Sequence, residues 1–377
     1  MKILHICNDY LGSKVHKSLY EEIDSYDVSQ VVFVPFRKGQ DIARNRVTFQ
    51  AKDSFVVFSK QIKLYHRFFF RLKIKMLLKS FYEQVNTTRV DAIFATTLFS
   101  DGSIALDIHK KTGIPYIVAV RSTDIDVFMR FRPDLNNLCL DILNHAKYVI
   151  FISDSLKFKF FKRINNQHRL QIEQKSKIIY NGISKEFLAN LEQKKNNIKP
   201  WKIIYVGSLI RRKNVMRLMD SVVKISNKGK NIQLNIYGKG GGLENDVVDY
   251  SKKYPTIIRY FGSIDNQMDL IKKLRENHVF AMPSYRETFG LVYIEALSQG
   301  LPIIYAVNES VDKMIDGVGE SCDPFSITSI ENAIQRILDN YDSYDLLKID
   351  FGVFSWKNIA FRYIDIFQKT ISTTNEN

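Results

Sequence analysis

Short apolar runs alternate with longer stretches of helical spacing from one end of the chain to the other, and that rhythm narrows the fold more than any other feature. Residues 2–7, 30–35, 54–58, 90–96, 116–120, 148–152 and 177–180 read as strands. A second series follows at 202–206, 234–237, 257–261, 279–282 and 302–305. Strands separated by helix-length segments predict βαβ units, and hence parallel sheets with helices on both faces. At 377 residues with 45% hydrophobic content, the chain is too long for one ordinary core and suits two. The polar, lysine-rich stretch L-E-Q-K-K-N-N-I-K-P divides them: a first domain over 1–190, a linker over 191–200 and a second domain over 201–356. Residues 308–316 read as a short helix, and 327–338 and 356–368 as amphipathic helices.

The net charge of +15 and pI near 9.4 imply an anionic partner: nucleic acid, an acidic membrane face or a phosphorylated substrate. The charge is unevenly spread. From Ser54 to Tyr82 there is no acidic residue, while Lys60, Lys63, Arg67, Arg71, Lys73, Lys75 and Lys79 interleave with leucines and phenylalanines. The stretch from Ser59 to Tyr82 therefore fits an amphipathic helix on an anionic membrane surface. It equally fits a domain helix that packs its apolar side inward and leaves its lysines in water. A second basic-aromatic run, Lys157 to Arg163, adds to the membrane reading. Three scattered cysteines, Cys7, Cys139 and Cys322, lack metal-ligand spacing, so no disulfide or zinc site is expected and the chain reads as cytoplasmic. The opening M-K-I-L-H-I-C-N-D reads as a first strand rather than a signal peptide, and no apolar run is long enough to cross a bilayer.

The most informative stretch is V-F-A-M-P-S-Y-R-E-T-F-G-L-V-Y-I-E-A-L-S-Q-G-L-P, residues 279–302. A short strand is closed by Pro283 and Ser284, and Leu291, Ile294 and Leu297 recur at helical spacing. Glu287 lies in the loop and Glu295 in the second helical turn, framing Thr288, Phe289 and Gly290, whose amides have no helical acceptor. A helix start carrying a glycine lets a phosphate approach the backbone, and the peptide dipoles favour the anion. The pattern resembles the two-glutamate signature of the retaining glycosyltransferases of family four, which have the GT-B fold.

That resemblance implies two Rossmann-like parallel-sheet domains facing a cleft, with the acceptor on the first, a nucleotide-sugar on the second, and the terminal helix 357–377 packed back on the first. It implies that Glu295 holds the ribose hydroxyls and Glu287 the sugar hydroxyls, while Thr288, Phe289, Gly290 and Leu291 border the diphosphate. Gly207-Ser208-Leu209 resembles the family's Gly-Arg-Leu turn, with Lys213 matching its diphosphate lysine. Ser208 stands where the family has an arginine, so that role passes to Arg211 or Arg212. Gly238 resembles a turn bordering the nucleotide base. A dinucleotide fingerprint is excluded there, because Leu243 occupies the place of its third glycine. In the first domain Gly12 matches a glycine turn facing the acceptor. Arg121 and Asp124 stand where many members carry a histidine, which makes Arg121 an acceptor-side candidate and Asp124 a catalytic one alongside Glu287 and Lys213; both read equally well as loop and cap residues.

The implied activity is transfer of a hexose from a nucleotide-sugar to a hydroxyl of a lipid-linked or polysaccharide acceptor, with the anomeric configuration kept. No cofactor or metal is expected. Two alternatives remain: an epimerase or phosphorylase of the same fold, and a non-enzymatic basic module for membrane or nucleic acid. The two-glutamate signature weighs against the last, and no nucleic-acid partner is expected. The expected location is the cytoplasm, peripheral on the inner face of the membrane.

Overall fold

A computed structural model describes residues 1–192 and 200–375. The chain forms two compact units, each built on one all-parallel sheet. The first sheet comprises β1 (Lys2–Ile6), β2 (Ser29–Val34), β3 (Phe55–Phe58), β4 (Ala92–Ala95), β5 (Tyr116–Ala119), β6 (Tyr148–Phe151) and β7 (Ser176–Ile178), in the order β3-β2-β1-β4-β5-β6-β7. The second comprises β8 (Trp201–Val206), β9 (Ile232–Tyr237), β10 (Ile258–Tyr260), β11 (Val279–Ala281), β12 (Ile303–Ala306) and β13 (Gly319–Cys322), in the order β10-β9-β8-β11-β12-β13. Central strands such as A-I-F-A in β4 and Y-I-V-A in β5 are buried throughout, as strands covered on both faces must be. In each sheet the order reverses beside the first strand, between β1 and β4 and again between β8 and β11. Loops leaving the carboxyl ends of those neighbours diverge, which is where open α/β sheets form crevices.

The first unit takes residues 1–152 and 156–182 and then the C-terminal segment from Trp356. Its core joins Ile3, Tyr20, Val32, Phe94 and Ile117 to Ile359, Tyr363 and Phe367 of the helix Trp356–Asn375. His5 is enclosed there, its ring 4.3 Å from that of Tyr20, and burial lowers its pKa to about 3. Gly182 marks the point of re-entry, because a Cβ there would lie 2.6 Å from the Trp356 ring.

The second unit holds residues 183–355 together with 153–155. It therefore begins at 183 rather than 201, since the helix Lys185–Ala189 buries Phe187 against the second unit's helices Gln267–Arg275 and Leu291–Ser298. Of the expected linker, residues 193–199 lie outside the described residues, as do 376 and 377 of the terminal helix.

One local expectation is corrected, and one strand had no counterpart in the sequence reading. Residues 308–316 form successive turns instead of a helix, with positive φ at Asn308, Ser310 and Lys313. The G-E-S-C strand β13 has no apolar run; it pairs on the sheet edge, where Gly319 allows the Ile303 carbonyl to approach within 1.9 Å of where a Cβ would stand. In the second basic-aromatic run, Phe160 and Phe161 are core residues, which removes them from any surface. The helix Phe70–Gln84 divides its residues: Phe70, Ile74, Leu77 and Phe81 pack inward at helical spacing while Arg71, Leu72, Lys75 and Lys79 face solvent.

Candidate active site

The loop leaving β8 runs from Gly207 through the tight turn Arg211–Lys213 to Asn214, whose φ of 64° launches the helix Val215–Asn227. The loop leaving β11 runs from Met282 to Gly290, whose φ of 71° launches the helix Leu291–Ser298. Uncharged bonds first tie the two loops together. Asn214 Nδ2 donates to the carbonyls of Pro283 at 3.0 Å and Pro324 at 2.6 Å. The Arg212 carbonyl accepts from the Tyr285 amide at 3.1 Å and from Ser284 Oγ at 3.2 Å.

On that frame sits an ion pair. Lys213 Nζ donates to Glu287 Oε2, with Arg212 Nη1 at 3.5 Å and Ser284 Oγ at 3.2 Å from the same oxygen. The other oxygen, Oε1, accepts from the Thr288 amide at 3.3 Å. The Lys213 and Glu287 side chains are 14% and 10% exposed. A pair so far out of water holds its geometry, and removing one partner strands a charge.

Gly290 is required by both conformation and space: a Cβ would lie 2.6 Å from the Tyr293 ring and 2.7 Å from Ser310 Oγ. Ser310 itself, buried with φ 44°, donates its hydroxyl to the Phe289 carbonyl and its amide to the Glu287 carbonyl at 3.3 Å. The turns that replaced the expected helix thus brace the Glu287–Gly290 loop from behind. One turn beyond Leu291 and on the same face lies Glu295. It is half-buried, and desolvation pushes its carboxyl up to about 7. Among the described residues no cation or hydrogen-bond donor meets it. The second unit therefore brings Glu287, Lys213, Arg212, Thr288, Phe289, Gly290, Leu291 and Glu295 into one loop-and-helix assembly.

Gly207 and Gly238 are explained by close approach. Gly207 N–H donates to the Tyr237 carbonyl at 3.0 Å, and a Cβ on Gly238 would stand 1.9 Å from the Gly207 carbonyl oxygen. The loops after β8 and β9 consequently touch backbone to backbone.

The first unit gathers its own polar groups at the β1/β4 reversal. Gly12 N–H donates to the Asp9 carbonyl at 3.0 Å, and a Cβ there would collide with Asp9 Oδ1. Burial raises the Asp9 pKa, while Arg121, Arg37 and Arg44 pull it down. Arg121 Nε donates to the Thr96 carbonyl at 3.0 Å, and Arg37 Nη2 to Asn8 Oδ1 at 2.6 Å. Asp124 takes the position of a cap. It is 1% exposed, and its carboxylate accepts from the amides of Arg121, Leu98 and Phe99 at 2.8, 3.0 and 3.2 Å. With its oxygens committed to backbone, Asp124 caps the entry to the helix Ser100–Thr112, which favours the cap reading over the catalytic one. Beside it, burial pushes Asp101 up to about 7 and lowers Lys73 to about 8; Lys73 Nζ donates to Ser100 Oγ at 2.7 Å.

Arg37, Lys73, Asp101, Asn214 and Ser310 were not among the expected site residues. Asn214 had a signal, a residue tolerant of the left-handed region just before a helix. Ser310 had none. Among the described residues no group of three histidine, cysteine or acidic side chains could hold a metal ion.

Residues 188–348 match the family described as Glycosyl transferases group 1. An uncharacterized glycosyltransferase, MJ1607 of Methanocaldococcus jannaschii, is 26% identical over 68% of this chain and 69% of its own. The alpha-monoglucosyldiacylglycerol synthase of Acholeplasma laidlawii is 23% identical over 65% of each. Among solved structures, the sucrose-phosphate synthase of Thermosynechococcus elongatus superposes with a TM-score of 0.74 at 17% identity, covering 99% of this chain and 100% of that one. Anabaena Alr3699/HepE in complex with UDP-glucose does so with a TM-score of 0.63 at 15% identity, covering 100% of both. The chain thus has the GT-B fold of these structures, and residues 188–348, within its second unit, match the glycosyl transferases group 1 family.

Proposed function

We propose that the chain is a retaining hexosyltransferase of family four, moving a hexose from a nucleotide-sugar to a hydroxyl of a lipid-linked or polysaccharide acceptor. What carries the reading is the assembly at the β8/β11 reversal, where a dry Lys213–Glu287 pair stands beside a glycine-started helix that bears the unpartnered Glu295. Ribose hydroxyls donate to Glu295, which otherwise sits desolvated without a donor. The diphosphate rests on the amides of Gly290 and Leu291, with Lys213 and Arg212 as its cations. Glu287 keeps Lys213 oriented and accepts from sugar hydroxyls. The loop at Gly238 borders the base, and Gly12 and Arg121 serve the acceptor.

In the transfer, the bond between the anomeric carbon and the diphosphate oxygen breaks, and the acceptor oxygen bonds to that carbon on the same face. The acceptor proton passes to the departing phosphate. The growing charge on the diphosphate is met by fixed cations and amides, each such donor contributing about 10²–10³ in rate; the reading calls for no metal ion. Support for the donor class comes from the UDP-glucose complex of the Anabaena protein, and for a lipid acceptor from the name of the Acholeplasma relative.

The test is a panel of UDP-, GDP- and ADP-hexoses scored by thermal shift, followed by product NMR with the best donor. A donor at about a hundred times its Kd should stabilise the protein by roughly 2.7 kcal/mol. A product with the donor's anomeric configuration supports retention; an inverted product overturns it. No shift with any donor sinks the nucleotide-sugar assignment.

A further inference from the structure

Within the segment that lacks acids, the core-facing residues of the helix Phe70–Gln84 account for only part of the apolar side chains. Leu64, Tyr65, Phe68, Phe69 and Leu72 remain exposed, Leu64 and Phe68 at 77% and 80%. Single exposed apolar residues need no explanation, but five within nine positions form a patch that water disfavours. Lys63, Arg71 and Lys75 are exposed around it. Lys60 pairs with Glu83, whereas Lys63 and Lys75 form no ion pair among the described residues. A cavity of about 590 Å³ adjoins the patch, and its lining includes the basic Arg37, Lys38 and Lys63 together with Leu64 and Tyr65.

We propose that this surface binds an anionic phospholipid bilayer: Leu64, Phe68, Phe69 and Leu72 enter the acyl boundary, and a lipid phosphate sits in the cavity between Arg37, Lys38 and Lys63. Here one sign surrounds an apolar tip, which is the pattern of an element lying in a charged interface. Among the described residues no helix is long and apolar enough to cross a membrane, so the association is with one leaflet. The inference goes beyond the donor reading and stands independently of it, because donor binding is measured without vesicles.

The test is flotation of the full chain with vesicles of phosphatidylcholine alone or mixed with phosphatidylglycerol, at low and high salt. Wild type should float with the mixed vesicles at low salt and remain below with the neutral ones. Phe68→Ser/Phe69→Ser should lower partitioning at least about tenfold, since burying one such ring is worth that much. Lys63→Ala/Lys75→Ala should lower it about fivefold per lysine and flatten the salt dependence. All altered side chains are exposed, so unchanged melting temperatures and donor thermal shifts certify the fold. Equal flotation on neutral vesicles or full retention by the phenylalanine variant would overturn the proposal.

Discussion

Replacing Glu295 by glutamine isolates one physical quantity, the cost of keeping a carboxylate out of water without a partner. The pKa rises from an ordinary 4.5 to about 7, and desolvation is the cause. Between those values the folded protein holds a proton that the unfolded chain has released, so stability falls as pH rises through the window. At 1.36 kcal/mol for each unit, the full penalty above pH 7 is about 3 kcal/mol. Because the group retains some solvent contact, about half of that, roughly 1.5 kcal/mol, is the working expectation. For a domain of this size that corresponds to about 3–6 °C in Tm. Glu295→Gln should therefore melt with wild type near pH 5 and above it near pH 8.5, as followed by differential scanning calorimetry. The same variant should lose donor-induced stabilisation near pH 8.5, because the amide accepts one hydroxyl where the carboxylate accepts two, and should differ less from wild type near pH 5, where Glu295 itself holds a proton. A Tm difference that does not change with pH would refute the desolvation argument.

Lys213→Ala should lower stability by about 1–3 kcal/mol, because Glu287 loses its nearest cation and keeps only Arg212 at 3.5 Å, and transfer by at least about a hundredfold; melting and turnover measured on one preparation separate the two effects. Gly290→Ala meets both a left-handed backbone and two contacts under 3 Å, so it should cost about 1–3 kcal/mol and weaken donor binding, read by calorimetric titration. Asp124→Asn should cost about 1–3 kcal/mol in the first unit by giving up backbone hydrogen bonds, yet leave the donor affinity of the second unit unchanged. A normal melt with abolished transfer in that variant would restore Asp124 to a catalytic role.

The sheets were legible because their strands are buried on both faces and so appear as unbroken apolar runs; β4 and β5 are the clearest. An edge strand need not carry such a run: β3 does, with F-V-V-F, whereas β13, with Glu320 and Ser321 at its centre, does not and left no trace. The Glu287–Glu295 spacing was legible for a similar reason, since a helix start beside a sheet's carboxyl end needs few residues and keeps them adjacent. What was hidden is tertiary. Ser310 reaches the site only through a run of left-handed turns that reads by composition as a helix. Asp124 reads equally as a site acid or a cap until the amides of Leu98 and Phe99 are found against it. The stretch from Ser59 to Tyr82 offered two readings because both describe part of it: one face of its helix is core, and the segment preceding that helix is exposed.

The central claim is that the second unit clasps a nucleotide-sugar between its helix start and its two glutamates. A crystal structure of the protein with a bound UDP- or GDP-hexose tests it most directly. The account predicts ribose oxygens on the Glu295 carboxylate, diphosphate oxygens within hydrogen-bond reach of the Gly290 and Leu291 amides and of Lys213, and hexose hydroxyls on Glu287. A nucleotide seated elsewhere, with Glu295 still lacking a donor and Lys213 still held by Glu287 alone, would contradict it.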